Sequence, residues 1–197
     1  MSTKQKLDRL VLFLIPIGIA INFVGGSIAR LLRLPLWLDS IGTIVVAALC
    51  GVVPGVIVGF VSNILNSITD PVTIFYALLN IMFAVVAAWL SKRHVFLSFP
   101  KTMASVLLFA LIGGGIGAVI TWVIYGFELG GGNSAIFAIP LYTVVGLPEF
   151  MAQFLAEFIT DILDKVVTLL AVFFVLGAMP VRLLAKLPLG EIYIKNE

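Results

Sequence analysis

The chain has 197 residues, of which 61% are hydrophobic and 11% carry a charge, and its formal net charge is +2. A water-soluble domain of this size needs far more charge to cover its surface, so the composition excludes an ordinary soluble globular protein. Apolar runs of about 20 residues, the length that spans the hydrocarbon core, recur along the sequence. We therefore predict one all-α, polytopic membrane domain over residues 1–197.

Four segments are predicted to span the membrane because of their length and apolar composition: residues 10–32, 72–90, 103–125 and 147–179. No small-residue cleavage site follows the first of these segments, so we expect a retained helix and not a signal peptide.

Residues 41–68 form a further apolar run that is too long for one crossing. As a single helix it would be about 42 Å long, against a hydrocarbon core of about 30 Å. Its segment "GVVPG" (51–55) favours a turn, because proline lacks an N–H donor and fits the first turn of a new helix. We predict two short helices here, residues 37–50 and 54–68, joined by this Gly/Pro turn.

The distribution of cations tests this interpretation. Two short helices give six spans, with both termini and nine cations on one side and only Arg30 and Arg33 on the other. One long helix gives five spans, with three cations on the N-terminal side and eight across the membrane. Lysine and arginine concentrate in cytoplasmic loops, so the sequence predicts six spans with both termini cytoplasmic. The nine cations are Lys4, Lys6, Arg9, Lys92, Arg93, Lys101, Arg182, Lys186 and Lys195.

The last predicted helix places its polar residues on one face. Glu149, Gln153 and Glu157 lie toward its outer end and are candidates for contact with a ligand or a lid. Deeper on the same face lie Asp161, Asp164 and Lys165, which form either a self-neutralising packing seam or a functional group. The sequence leaves these alternatives open.

Further candidate ligand contacts lie near the predicted outer surface. Tyr76 and Asn80 share one face of the fourth helix with Thr73, and amides and phenols offer directional hydrogen bonds in an apolar wall. Interhelical hydrogen bonding is the alternative role for these side chains. The other candidates are Asn66, which otherwise caps its helix, Asp70, Tyr125 and Asn133.

Catalysis has little support in the sequence. His94 is the only histidine and Cys50 the only cysteine, so no histidine-based metal site, thiolate metal site, disulfide or Ser–His hydrolase is expected. No ATP-binding motif is present. We therefore expect a protein that is not an enzyme and that has neither a metal nor a cofactor of its own.

The layout resembles the substrate-binding S-components of energy-coupling factor (ECF) vitamin transporters. The resemblance is carried by "LDSIGTIVVAALCGVVPGVIVGFVSNILNS" (38–67) and by "DILDK" (161–165) in a charged last helix. It implies a subunit in the bacterial plasma membrane that captures a vitamin or precursor from outside. It also implies a membrane coupling protein and two ATPases as partners, which use the ATP. Family members dock the coupling protein through small residues on the first helix, and this implies a docking role for Gly18, Ala20, Gly25 and Ala29, with Ala47 and Ala48.

Two other functions remain possible from the residues. A membrane sensor or receptor domain is one, although no signalling domain follows the last span in the sequence. A stand-alone ion-coupled carrier using Glu157, Asp161 and Lys165 is the other. The outer acids and amides suit a pyridoxine-like or hydroxymethylpyrimidine-like ring, whereas Arg30 and Arg33 would suit a carboxylate such as that of pantothenate.

Overall fold

The computed structural model describes residues 9–129 and 133–194, and every regular element in these ranges is helical. The predicted all-α class is confirmed. In these ranges the helices are α1 (Arg9–Leu31), α2 (Ile41–Cys50), α3 (Val52–Asn66), α4 (Ala77–Lys92), α5 (Phe99–Ile124), α6 (Ala135–Thr143), α7 (Glu149–Ala178) and α8 (Val181–Leu184). Short 3₁₀ turns occupy Pro71–Tyr76, Val95–Leu97 and Gly190–Tyr193.

Three of the described helical segments are long and apolar enough to cross a membrane: Arg9–Leu31, Pro71–Lys92 and Phe99–Ile124. These segments are compatible with a transmembrane protein. The helices α2 and α3 are apolar but shorter, with 10 and 15 residues. At 1.5 Å per residue they reach roughly 15 and 22 Å, so neither spans the hydrocarbon core alone.

The chain reverses between α2 and α3 at Gly51. Its φ of 94° is a backbone conformation that favours glycine, and α3 begins at the next residue. The two helices run antiparallel. Near the turn, Gly55 of α3 lies against Ala47 of α2, and farther from the turn Thr43 of α2 and Ser62 of α3 both bind the side chain of Asn22. Pro54 lies in the first turn of α3 and Gly55 packs against α2, so the reversal occupies less of "GVVPG" than the sequence predicts.

One buried amide joins α1 to this hairpin. Asn22 donates to the Thr43 hydroxyl at 2.8 Å and to the Ser62 hydroxyl at 3.0 Å, and it accepts the Gly42 N–H at 2.7 Å. The backbones of α1 and α2 approach closely beside it, since a Cβ on Gly42 would overlap the Gly18 carbonyl group. Asn22 therefore fixes the positions of three helices relative to one another.

The connector between α1 and α2, residues 32–40, differs in structure from the prediction. The helix predicted over residues 37–50 begins at Ile41, and the residues before it form irregular backbone that folds back along α1. The Leu38 carbonyl lies against Gly25, and Leu38 itself has a φ of 52°. The backbone N–H groups of Trp37 and Leu38 are bound by a side chain of α7, and the positive φ of Leu38 is incompatible with a right-handed helix at this position.

Two features of the second half of the chain shape its interior. Residues Leu111–Ile116 form a π-helical turn within α5, which packs on α7. The segment after residue 133 forms α6, which also packs along α7. The buried core lies between α2, α4, α5 and α7, with Ile44, Leu49, Phe109 and Leu169 fully buried.

Candidate functional site

A cavity lies between the connector, α3, α4, the π-helical turn of α5 and α7. Its empty space is about 500 Å³ out to the mouth, of which about 60 Å³ admits the centre of a water molecule. A water needs roughly 10–15 Å³ by the latter measure, so the cavity suits a single compact ligand. Its walls are formed by Trp37, Asp39, Asn63, Thr73, Tyr76, Leu79, Asn80, Phe83, Gly113, Gly117, Glu157, Asp161 and Lys165.

The deep wall holds a buried ionic group. The Lys165 ammonium lies 2.6 Å from Asp164 and 3.3 Å from Asp161, and it sits 4.5 Å from the centre of the Phe83 ring. Both carboxylates and the ammonium are buried, so the single positive charge of Lys165 is shared by two carboxylates inside the bundle. Asp161 keeps one carboxylate oxygen, Oδ2, with no hydrogen-bond partner among the described residues.

Asp164 has a structural role that the sequence could not assign. Its Oδ1 accepts the N–H groups of Trp37 and Leu38 at 2.9 and 2.8 Å, while its Oδ2 meets Lys165. Irregular backbone is tolerated at membrane depth only where its polar groups find partners within the protein. Asp164 therefore holds the connector as one wall of the cavity.

Two asparagines add further unpaired acceptors to the cavity wall. Asn63 donates its amide N–H to the Gly59 carbonyl at 2.9 Å, which leaves its Oδ1 without a partner in residues 9–129 and 133–194. The Oδ1 of Asn80 is likewise unpaired within the described ranges. Buried polar oxygens usually have hydrogen-bond partners. The unpaired oxygens of Asn63, Asn80 and Asp161 are closed off from water in the structure, and all three belong to residues that line one cavity.

An aromatic pair forms another part of the wall. The rings of Trp37 and Tyr76 stack with their centres 6.4 Å apart, and the Tyr76 hydroxyl is 2.7 Å from the Thr121 hydroxyl. This pairing fixes the orientation of both rings. A flat ring or a cationic group can bind favourably against such aromatic faces.

Glu157 links the cavity to the start of α6. Its Oε1 accepts hydrogen bonds from the Ser134 hydroxyl at 2.7 Å and from the Gln153 amide at 3.1 Å. Gln153 also donates to Ser134 at 3.3 Å. The side chain of Glu157 thus serves both the cavity wall and the attachment of the α6 segment.

The π-helical turn of α5 makes room for the acidic wall. A Cβ on Gly113 would overlap the Asp161 carboxylate, and a Cβ on Gly114 would approach the Phe158 Cα to 2.6 Å. The widened helical turn and its glycines therefore bring α5 directly onto the polar face of α7. Such π-helical turns are frequent at functional sites.

Of the nine predicted ligand contacts, three line the cavity: Tyr76, Asn80 and Glu157. Gln153 lies one hydrogen bond away from it, on Glu157. The other five lie elsewhere: Asn66 accepts from Arg30 at 3.2 Å, Asn133 donates to the Leu36 carbonyl at 2.6 Å, Glu149 is exposed, and Asp70 and Tyr125 are half-buried outside the lining.

Several lining residues were not among the predicted contacts. Asp39 and Asn63 are polar residues near predicted helix ends, Thr73 lies on the predicted polar face of the fourth helix, and Asp161 and Lys165 belong to the polar face of the last helix. The polar face was a usable signal for Asp161 and Lys165. The local sequence around Asp39 does not predict its place in the cavity wall, because that place depends on a connector that folds back into the bundle.

The predicted docking residues lie mostly inside the bundle. Gly18, Ala29, Ala47 and Ala48 are buried and Gly25 is half-buried against the connector, whereas Ala20 is exposed. The described residues also contain no group of three or more His, Cys, Asp or Glu side chains arranged to hold a metal ion.

Comparisons of the chain with protein-family models, curated proteins and solved structures give no match.

Proposed function

We propose that this chain is the substrate-binding S-component of an ECF-type importer, and that its cavity holds one small vitamin or vitamin precursor. The observation that carries the proposal is that three residues lining one cavity, Asn63, Asn80 and Asp161, each have a buried acceptor oxygen with no partner among the described residues. Structural packing usually satisfies buried oxygens internally. The hydroxyls of Ser40, Thr160 and Thr168, which do not line the cavity, are also unpaired within the described residues.

The proposed topology has six spans with both termini in the cytoplasm of a bacterium. It is supported by the groove that Arg9 shares with Arg182 and Lys186, since this brings the start of α1 and the residues after α7 to the same end of the bundle. In this proposed topology the connector and α2 together make one crossing of the membrane, since α2 alone is too short to span it. The cations at positions 4, 6 and 195 and the glycines at 130–132 lie outside the described residues.

The cavity wall favours a ligand that donates hydrogen bonds and carries positive charge. Asp39, Glu157 and Asp161 face it together with a single cation, Lys165, and Lys165 is already engaged by two carboxylates. A pyridoxine-like or aminopyrimidine-like ring with hydroxyl groups and a protonated nitrogen fits this chemistry. A carboxylate ligand such as pantothenate has less support, because Arg30 pairs with Asn66 and neither Arg30 nor Arg33 lines the cavity.

The proposed partners are a membrane coupling protein and two ATPases, which supply the energy. Because five of the six predicted docking residues are buried or half-buried, the proposed docking surface is the exposed side of α1 that carries Ala20. Its apolar side chains are available for contact with a partner helix.

A ligand-stabilisation screen tests the proposal. The purified protein should be heated in detergent with pyridoxine, an aminopyrimidine alcohol, thiamin, riboflavin, biotin or pantothenate. A ligand at 100 times its Kd stabilises by about 2.7 kcal/mol, so the correct compound should raise the melting temperature by roughly 5–10 °C. We expect this with a protonated ring compound and not with pantothenate.

Matched variants locate the binding. Asp161→Asn should abolish the ligand-induced shift, whereas Glu149→Gln, at an exposed position outside the cavity, should retain it. The proposal fails if none of the compounds stabilises the protein, or if the two variants respond alike.

The buried ionic group also supports an ion-coupled carrier as a second candidate. Ionisable groups inside a membrane often mark ion pathways, and Asp161, Asp164 and Lys165 form such a group. Ligand uptake into proteoliposomes that contain this protein alone and respond to an ion gradient would favour the carrier. Uptake that requires ATP and co-purified ATPases would exclude it.

A further inference from the structure

A second recess lies at the Arg9 end of the bundle, between the first turns of α1 and the segment that follows α7. It is a wide, open groove that is distinct from the cavity described above. Arg9, Leu10 and Phe13 form one wall, and Arg182, Leu183 and Lys186 belong to the other.

The cationic groups of this groove are uncompensated in the part of the chain that the structure describes. Every ion pair found there involves Lys165, and none involves Arg9, Arg182 or Lys186. All three side chains are exposed, and the groove lining contributed by the described residues includes no carboxylate. Three exposed cations around one groove attract a ligand with concentrated negative charge, such as a phosphate group.

The groove continues into an apolar stripe along α1. Phe13 is 67% exposed, and the exposed side chains of Ile17, Ala20, Val24 and Ile28 follow it at helical spacing on one face. From residue 13 to residue 28 this stripe is about 22 Å long at 1.5 Å per residue. That exceeds the depth of one leaflet of a hydrocarbon core of about 30 Å.

We propose that the groove binds one anionic phospholipid, whose phosphate contacts Arg9, Arg182 and Lys186 and whose acyl chain lies along the stripe that begins at Phe13. Basic pockets at the ends of transmembrane helices are known to bind anionic lipid head groups. An acidic protein segment would satisfy the charges but would leave the apolar stripe uncovered, so the combination favours a lipid. The inference requires membrane insertion and does not require the transport role. Because Ala20 lies on this stripe, the lipid would occupy this face of α1 only while no coupling protein is docked there.

Native mass spectrometry and thermal unfolding in mixed micelles test the lipid site. The probes are phosphatidylglycerol and phosphatidylcholine with identical acyl chains, and separately inorganic phosphate and glycerol phosphate. We expect the protein to retain one phosphatidylglycerol molecule and to melt several degrees higher in its presence. Phosphatidylcholine and the two soluble phosphates should have a much smaller effect.

Variants separate this site from general attraction between cations and anionic lipid. Arg182→Gln combined with Lys186→Gln should reduce lipid retention at least fivefold, with an unchanged melting temperature in the absence of lipid. Lys92→Gln combined with Lys101→Gln removes the same charge from exposed positions outside the groove and should leave retention unchanged. Phe13→Ala should weaken retention of the lipid without changing the response to glycerol phosphate.

Three results would overturn the proposal. Equal loss of lipid in both double variants would indicate a diffuse electrostatic effect. Equal stabilisation by soluble phosphate would indicate a simple anion site. Undiminished phosphatidylglycerol retention in the groove variant would show that the lipid binds elsewhere.

Discussion

The carboxylate of Asp164 accepts two backbone hydrogen bonds from the connector, from Trp37 at 2.9 Å and from Leu38 at 2.8 Å. These residues lie more than a hundred positions apart in the sequence. These hydrogen bonds hold non-helical backbone inside the bundle. The other carboxylate oxygen of Asp164 accepts a hydrogen bond from Lys165. One side chain of α7 therefore determines where the aromatic ring of Trp37 stands in the cavity wall.

Replacing Asp164 should destabilise the protein strongly. Asp164→Asn keeps the size of the side chain but removes its charge, so Lys165 loses a buried partner and the two N–H groups face a weaker acceptor. Breaking a buried ion pair costs about 3–5 kcal/mol when it leaves a charge unpaired. Asp161 still pairs with Lys165 in this variant, so we expect a loss toward the lower end of that range. A large fall in melting temperature is expected, measured in detergent without ligand.

The control for this change is Glu128→Gln, which removes a carboxylate from an exposed position of the connection between α5 and α6. It should change the melting temperature little. If Asp164→Asn melts like this control, the connector is held by other contacts.

The amide of Asn22 provides a second stability test. Asn22→Ala removes three hydrogen bonds and leaves the Gly42 N–H and the Thr43 and Ser62 hydroxyls with fewer partners. Hydrogen bonds between membrane helices average about 0.6 kcal/mol each, and unpaired buried groups add to the loss, so we expect a cost of about 2–3 kcal/mol. Ser67→Ala, which removes an exposed hydrogen bond to the Ile64 carbonyl, should cost much less. A similar loss in both would contradict a linking role for Asn22.

Local chemistry was sufficient to predict much of the helical pattern from the sequence. Apolar run length located α1, α4, α5 and α7 within a few residues, and the glycine and proline residues near position 51 located the reversal between α2 and α3. The polar face of α7 likewise located Glu157, Asp161 and Lys165.

The remaining features depend on contacts between distant parts of the chain. Asn66 and Asn133 were predicted to contact a ligand. In the structure the Asn66 amide accepts a hydrogen bond from Arg30, and the Asn133 amide donates one to the Leu36 carbonyl. The start of α2 was placed too early because Leu38 adopts a left-handed backbone conformation, in a connector that Asp164 holds from the distant helix α7. Neither effect has a local sequence signal.

The C-terminal segment is fastened to the bundle through Tyr193. Ser91 donates to the Ala48 carbonyl at 2.7 Å, so the Tyr193 hydroxyl, 2.7 Å away, donates to Ser91. Tyr193→Phe should therefore cost about 1 kcal/mol and lower the melting temperature by roughly 2–4 °C. Tyr142→Phe, at an exposed tyrosine, serves as the matched control and should have little effect.

The effect of Tyr193 should also depend on pH. Burial raises the pKa of Tyr193 to about 12. Because an unfolded tyrosine ionises near pH 10, the stability contributed by the neutral phenol is complete below about pH 10 and is lost as the pH rises toward 12. The difference in melting temperature between the wild type and Tyr193→Phe should shrink between pH 9 and pH 11. A constant difference would argue against the buried, neutral hydroxyl.

The π-helical turn of α5 supplies a test that separates the cavity from general packing. A methyl group at Gly113 would overlap the Asp161 carboxylate, whereas a methyl group at Gly115, two residues away in the same turn, meets no other atom within 4 Å. Gly113→Ala should displace the carboxylate and reduce ligand affinity, seen as a smaller ligand-induced shift in melting temperature. Gly115→Ala should retain the full shift and stabilise the helix slightly, since alanine favours a helix by up to about 1 kcal/mol over glycine. If Gly113→Ala displaced the Asp161 carboxylate and the ligand-induced shift stayed complete, Asp161 would not contact the ligand. The acidic residues of the wall would then contribute to stability and not to ligand binding.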